Sequence, residues 1–180
     1  MINYLYSSII GFQTDTVAMT VATSGILARL IIGKSGLIGK YTSNDSREFI
    51  SKGKELIYNI ILGLMVGIVI SYTGAVLIES GVPVDAVKAS YPSLCFAISA
   101  ITLIFVQFGA GVPTTHHISL TSSNAFVLSG NPIVGIIVAI ISSLLGDFFT
   151  KTFNSHCDSH IDPPACTIFI MTFIILAVFA

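Results

Sequence analysis

All four histidines of this chain fall in two polar patches of an otherwise apolar sequence. The second patch is Asn154-Ser-His-Cys-Asp-Ser-His-Ile-Asp-Pro-Pro-Ala165. His156, Asp158 and His160 stand there at i, i+2 and i+4, a spacing that puts three side chains on one face of an extended segment. Two imidazoles and a carboxylate suit zinc or another divalent metal, and Asp162 adds an oxygen. Ion or proton handling is a second reading of the same loop. A polar interfacial loop that caps the last helix through Asp162 is a third.

The first patch is Val112-Pro-Thr-Thr-His-His-Ile-Ser-Leu120. Adjacent residues diverge on either a helix or a strand, so His116 and His117 cannot share one direction. One meets a pathway while the other bonds to backbone. Histidine titrates near neutral pH, which makes it a chemically reasonable proton relay inside a membrane. A buried histidine satisfied by its neighbours is the alternative. From Pro113 to Ser129 the chain is too polar for a lipid-facing helix and too apolar for a solvated loop. Backbone of this kind at membrane depth requires burial in protein or a lined cavity. The segment 112–129 therefore reads as re-entrant or as a broken helix, with an interfacial loop as the alternative. Thr115, His116, His117, Asn124 and Asp147 are the candidate pathway or substrate residues. Asp147 also stands four residues before Lys151, the spacing of a helical ion pair. If the first segment dips into the bilayer, His116 or His117, Asp147, Asp158 and His160 meet in one polar site with Asn124 nearby.

No catalytic residue is assigned. Cys157 adjoins His156, but neighbours in sequence rarely form a working dyad. A phosphate-cradling glycine loop, a serine elbow and a His-Glu-x-x-His zinc helix are all absent from the sequence.

The elements that must position these residues are helices in lipid. The chain is 53% hydrophobic and 9% charged, against about 25% charged in soluble domains. Its mean hydropathy is +0.90. So little charge cannot cover a water-facing surface, and long apolar runs recur. The reading is an all-α polytopic membrane protein, a single integral domain over 1–180 with four to five spans. Candidate spans are Val17 to Gly33, Leu56 to Ile78, Tyr91-Pro92 to about Gly111, Ile133 to Phe149, and the segment after Asp162-Pro163-Pro164. Arg29 is expected to snorkel to an interface. Glu79 to Ser90 reads as a loop, with Pro92 in the first turn of the helix that follows. Asn131-Pro132 reads as an N-cap followed by an N1 proline. Gly63 and Gly67 form a small-xxx-small pair that permits close helix approach. Cys95 and Cys166 lie in apolar runs as small hydrophobes.

With a net charge of −1 and no basic arm, nothing in the sequence points to a nucleic-acid partner, and none is expected. The loop 34–55 carries Lys34, Lys40, Arg47, Lys52 and Lys54, so the positive-inside rule places it in the cytoplasm. Both ends are abrupt, as in a truncated chain. An offset of 72 residues superposes Asn59, Gly63, Val66, Ile68, Ser71 and Gly74 on Asn131, Gly135, Val138, Ile140, Ser143 and Gly146. This suggests a faint duplication of 56–80 in 128–152.

With these residues in view, the chain resembles a family of uncharacterised bacterial and archaeal multi-pass membrane proteins described as permease-like. The resemblance covers most of the chain. It rests on Thr14-Asp-Thr16, Ala28-Arg-Leu30, Gly33-Lys-Ser-Gly36, Pro113-Thr-Thr-His-His117, Gly146-Asp-Phe-Phe149 and His156-Cys-Asp-Ser-His-Ile-Asp-Pro-Pro-Ala165. It implies a membrane protein of permease type, with family members carrying further N-terminal helices. Asp162-Pro-Pro-Ala165 is also similar to the His-Pro-Pro-Ala signature of another small membrane family, with aspartate in place of histidine.

The expected function is thus a permease or ion-coupled transporter of the plasma membrane. A metal-binding membrane protein and a structural subunit without transport are the alternatives. The expected partners are the lipid bilayer, a small solute or ion, and either further copies of the chain or an additional membrane subunit. On alkaline carbonate extraction the protein should stay with the membrane pellet; release into the soluble fraction would contradict the reading.

Overall fold

The computed structural model describes residues 52–107, 116–156 and 163–180, together with helical positions 17, 20, 21, 23, 24 and 27. Besides those positions, the described residues form five helices: α1 (Lys52–Glu79), α2 (Val84–Gln107), α3 (His116–Ser129), α4 (Pro132–His156) and α5 (Pro163–Phe179). Three stretches are long and apolar enough to cross a membrane: Leu56–Glu79, Val84–Leu103 and Pro132–Phe149. Ala165–Phe179 is a shorter apolar helix. The all-helical, polytopic class read from the sequence is the class observed.

Helix ends follow local chemistry. Gly81 takes φ +98° past the end of α1, a left-handed cap position that glycine fills without a Cβ clash. Its N–H bonds the Ile78 carbonyl, and that of Val82 bonds Leu77, each at 3.0 Å. Those two bonds take up carbonyls that α1 would otherwise leave bare. The chain turns at once into α2. The expected loop to Ser90 is therefore only four residues, and Pro92 lies inside α2 rather than in its first turn. The physical reason is that Pro83 does the capping: its carbonyl accepts from the N–H groups of Ala86 and Val87 at 3.1 and 3.2 Å. Asp85 adds a first-turn acid, favourable at the positive helix end. Pro92 withholds a donor from the Lys88 carbonyl, and Lys88 is exposed.

The Asn131-Pro132 start of α4 is as expected. Asn131 Oδ1 accepts from Ile133 N at 2.9 Å, and Gly130 before it turns the chain at φ +66°.

The arrangement is a bundle around α3. This helix has 14 residues, about 21 Å at 1.5 Å per residue, shorter than a roughly 30 Å hydrocarbon core. It packs against all four other helices. Apart from the His116 side chain, outside the described set, every residue from His117 to Ala125 is buried. Glycines let the flanking helices close on it. A Cβ at Gly63 would come within 2.7 Å of Ser122 Cβ and 2.8 Å of the Ser119 carbonyl, and one at Gly67 would strike the Phe126 ring. On the other side, a Cβ at Gly135 would lie 3.0 Å from the Ser122 carbonyl. The Gly63–Gly67 pair thus makes the close approach its spacing implies. α1 runs parallel to α3, since later residues meet later residues. α4 runs antiparallel, since Gly135 meets Ser122 and Phe126 whereas Gly146 meets His117.

Apolar contacts complete the bundle. Leu62, Val66 and Ile70 of α1, Leu94 and Ile98 of α2, Leu120 and Val127 of α3 and Ile168 of α5 form one cluster, which Val21 joins. Ala125, Val138, Met171 and Ile175 form a second. The outward faces of α1 and α4 expose Ile61, Met65, Ile68 and Tyr72, and Ile133, Ile137, Ile140 and Leu144.

Gly63→Val should therefore lower stability by about 1–3 kcal/mol, the usual cost of overpacking. Gly53→Ala, where an added Cβ meets nothing within 4 Å, should be neutral or stabilising by about 0.5–1 kcal/mol. Reversible unfolding in mixed micelles checks both.

Candidate functional site

Among the described residues the concentration of buried polar groups is on α3. His117, Ser119, Thr121, Ser122, Ser123 and Asn124 are all buried. A run of six such residues within one buried stretch is costly unless each group finds a partner. Two of the four hydroxyls here solve the problem locally. Thr121 Oγ1 donates to the His117 carbonyl at 2.8 Å and Ser123 Oγ to the Leu120 carbonyl at 2.9 Å. Thr73, Ser90, Thr102 and Ser129 bond back to their own helices in the same way.

Asn124 works across helices instead. Its Nδ2 donates to Ser99 Oγ at 3.1 Å and to the Cys95 carbonyl at 3.4 Å. Thr172 Oγ1 of α5 donates to the same Ser99 Oγ at 2.9 Å. The Cys95 thiol faces the Asn124 carbonyl at 3.9 Å, a weak contact that suits a buried sulfur. A neutral chain Asn124–Ser99–Thr172 thus ties α3 to α2 and α5. Ser99 and Thr172 carry no signal of this role in the sequence. Each is one hydroxyl in an apolar helix, and only tertiary packing brings them together.

His117 occupies the other end of α3. Its ring packs against α4 at Gly146, where an added Cβ would meet Nε2 at 2.6 Å and Cε1 at 3.1 Å. Asp147 is the next residue of α4 and is half-buried. His117 thus lies against α4 at the residue before Asp147. Asn124 is seven residues from His117 along α3, about 10 Å at the helical rise, and engages α2 rather than α4.

Two hydroxyls behave differently from the rest. Ser122 Oγ and Ser142 Oγ are buried and have no hydrogen-bond partner among the described residues. Ser122 faces Gly63 of α1. Ser142 lies on the α4 stripe of Gly135 and Gly146, seven residues after one and four before the other, which is one face of a helix. Asn59, one turn before Gly63 on α1, is also buried. The seam between α1, α3 and α4 is thus polar along one side and closed by glycine.

The remaining sequence candidates fall elsewhere. His116 opens α3 and His156 closes α4. Thr115, Asp158, His160 and Asp162 lie outside the described residues, and so does the proposed meeting of His117 with the second patch. Among the described residues no group of three or more His, Cys, Asp or Glu is placed to hold a metal ion.

A family model described as a family of unknown function, DUF7973, matches residues 55–180, and the chain belongs to that family. No curated protein matches the chain. No solved structure matches it.

Asn124→Ala should cost about 1 kcal/mol for the lost interhelical hydrogen bonds. A double-mutant cycle with Ser99→Ala should show coupling of about 0.5–1.5 kcal/mol, against none for the cycle with Ser142→Ala, which tests the side of α3 that Asn124 serves.

Proposed function

We propose that this member of a family of unknown function is an integral protein of the cell membrane and acts as a permease or ion-coupled transporter, with α3 lining the path. One observation carries the reading: the most polar of the described helices is also the most buried, at the centre of an apolar bundle. Polar and ionisable groups at membrane depth are expensive, and they mark substrate or ion pathways by default. A purely structural centre would be served as well by leucine and alanine, without the desolvation cost.

The chemistry of the lining points to small solutes. Its described members are hydroxyls, one carboxamide and one imidazole. Such groups exchange hydrogen bonds with a passing solute without fixing a charge in the bilayer. Among these side chains the His117 imidazole is the one of a type that ordinarily exchanges protons near neutral pH. It sits beside the α4 backbone, where the missing side chain of Gly146 leaves room for its ring. Proton coupling through His117 is therefore the form of transport favoured. In the same reading the loop 34–55 faces the cytoplasm, by its excess of lysine and arginine.

Purified protein in liposomes loaded with a pH-sensitive dye provides the test. An imposed pH gradient should collapse faster than in empty liposomes, and His117→Ala at equal protein incorporation should slow the collapse at least tenfold. A rate equal to that of empty liposomes, or one unaffected by His117→Ala, would reject proton movement through α3.

A further inference from the structure

The duplication visible as an offset of 72 residues has a structural counterpart. At that offset α1 and α4 share most of their pattern of burial from Gly63 onward, although Asn59 is buried and the equivalent Asn131 exposed. Gly63, Val66, Gly67, Ile70 and Gly74 are buried, and so are Gly135, Val138, Ala139, Ser142 and Gly146. Ile61, Met65, Ile68, Tyr72 and Val76 are exposed, and so are Ile133, Ile137, Ile140, Leu144 and Phe148. The correspondence continues into the next pair of helices with one extra residue in the connection. Leu94, Cys95, Ile98 and Ser99 of α2 are buried, as are Thr167, Ile168, Met171 and Thr172 of α5.

The two pairs have opposite orientations. α1 is parallel to α3 and α4 antiparallel to it, by the glycine contacts above. Each partner helix returns along its own neighbour, so α2 and α5 are also opposed. A two-fold axis relating such pairs leaves a signature: equivalent residues on the axis touch each other, or touch the same central group. Both signs are present. Ser99 and Thr172 are equivalent, and they are bonded to each other at 2.9 Å. Gly63 and Gly135 are equivalent, and both close on Ser122.

We infer that α1–α2 and α4–α5 form an inverted repeat folded about α3, with a pseudo-two-fold axis passing through the Ser99–Thr172 bond and Ser122. Secondary transporters built from inverted repeats hold substrate where the repeats meet, near the bilayer midplane. Resting on the transport reading, the axis then assigns the solute site to α3 at Ser122 to Asn124, one to two turns from His117. The described groups there carry no charge, so the solute class is a small, uncharged hydrogen-bonding molecule. The halves are not identical in their outer contacts. Gly74 of α1 closes on Tyr91 of its own pair, whereas the equivalent Gly146 closes on His117 of α3. The two halves therefore differ at this equivalent pair of glycines, one set against a tyrosine of its own pair and the other against a histidine of α3.

Cysteine chemistry tests the axis without reference to any solute. In a background with Cys95, Cys157 and Cys166 changed to alanine, Ser80→Cys and Thr152→Cys occupy equivalent positions at the far ends of α1 and α4. An impermeant maleimide should label them from opposite faces of oriented membrane vesicles. The pair Ser99→Cys with Thr172→Cys should form an intramolecular disulfide under mild oxidation, and the off-axis pair Ser99→Cys with Ser142→Cys should not. Labelling from one face, or absence of the Ser99–Thr172 cross-link in protein that still reaches the membrane, would overturn the inverted repeat. Neither result bears on proton flux in liposomes, so failure of the axis and failure of transport are separately visible.

Discussion

The structure depends on one constraint: a polar helix is buried at the centre of an apolar bundle. Every hydroxyl on α3 must find a partner inside the protein or bear the cost of going without. The backbone helps, because a serine or threonine in a helix can donate to a carbonyl one turn back. Thr121 and Ser123 do so. This local bonding lets a serine- and threonine-rich sequence be helical and buried at once, although those residues are mediocre helix formers. Asn124 is too long and too polar for that solution, and its bonds reach α2. The sole carboxamide of α3 is thus also its cross-helix tie.

Glycine is the other half of the same constraint. In lipid no hydrophobic force drives helices together, so close backbone approach and dispersion must do so. Gly63 and Gly67 on one flank, and Gly135 and Gly146 on the other, let α1 and α4 approach α3 closely; an added methyl group would clash at Gly63, Gly67 and Gly146 and be tight at Gly135. The polar groups of α3 are then shielded by backbone rather than by large side chains. At Gly146 the space is taken by an imidazole, so the ring is shielded by the same means as the hydroxyls.

Sealing a helix from two sides with two antiparallel neighbours is a symmetric act, and the symmetry extends outward. Helices α2 and α5 meet through a hydrogen bond between hydroxyls, and the exposed apolar positions of α1 and α4 follow the same spacing. A single helix at the centre cannot obey a two-fold axis, since its own direction is polar. α3 is the element that makes the two halves unequal, and its His117 lies against Gly146 of α4.

Much of this was legible in the sequence for definite reasons. Scarcity of charge and long apolar runs determine a helical membrane-type chain, because only helices satisfy their own backbone in a compact apolar segment. The mixture of Ser, Thr, His and Asn between Pro113 and Ser129 required burial, and Gly63 with Gly67 required a close neighbour. Asn131-Pro132 fixed a helix start through local hydrogen bonds alone. Other features belong to tertiary structure. Pro92 in isolation suggests a helix start, yet α2 begins eight residues earlier because the cap at Gly81 folds the chain back onto α1 within four residues. Ser99 and Thr172 look like incidental hydroxyls; they are 73 residues apart, and no local rule pairs them. The residue that makes room for the His117 ring is a glycine, which sequence reasoning reads for backbone freedom and not for the space it leaves. Local hydrogen bonding and hydropathy are written in short windows of sequence, whereas a contact across helices depends on how whole apolar faces pack.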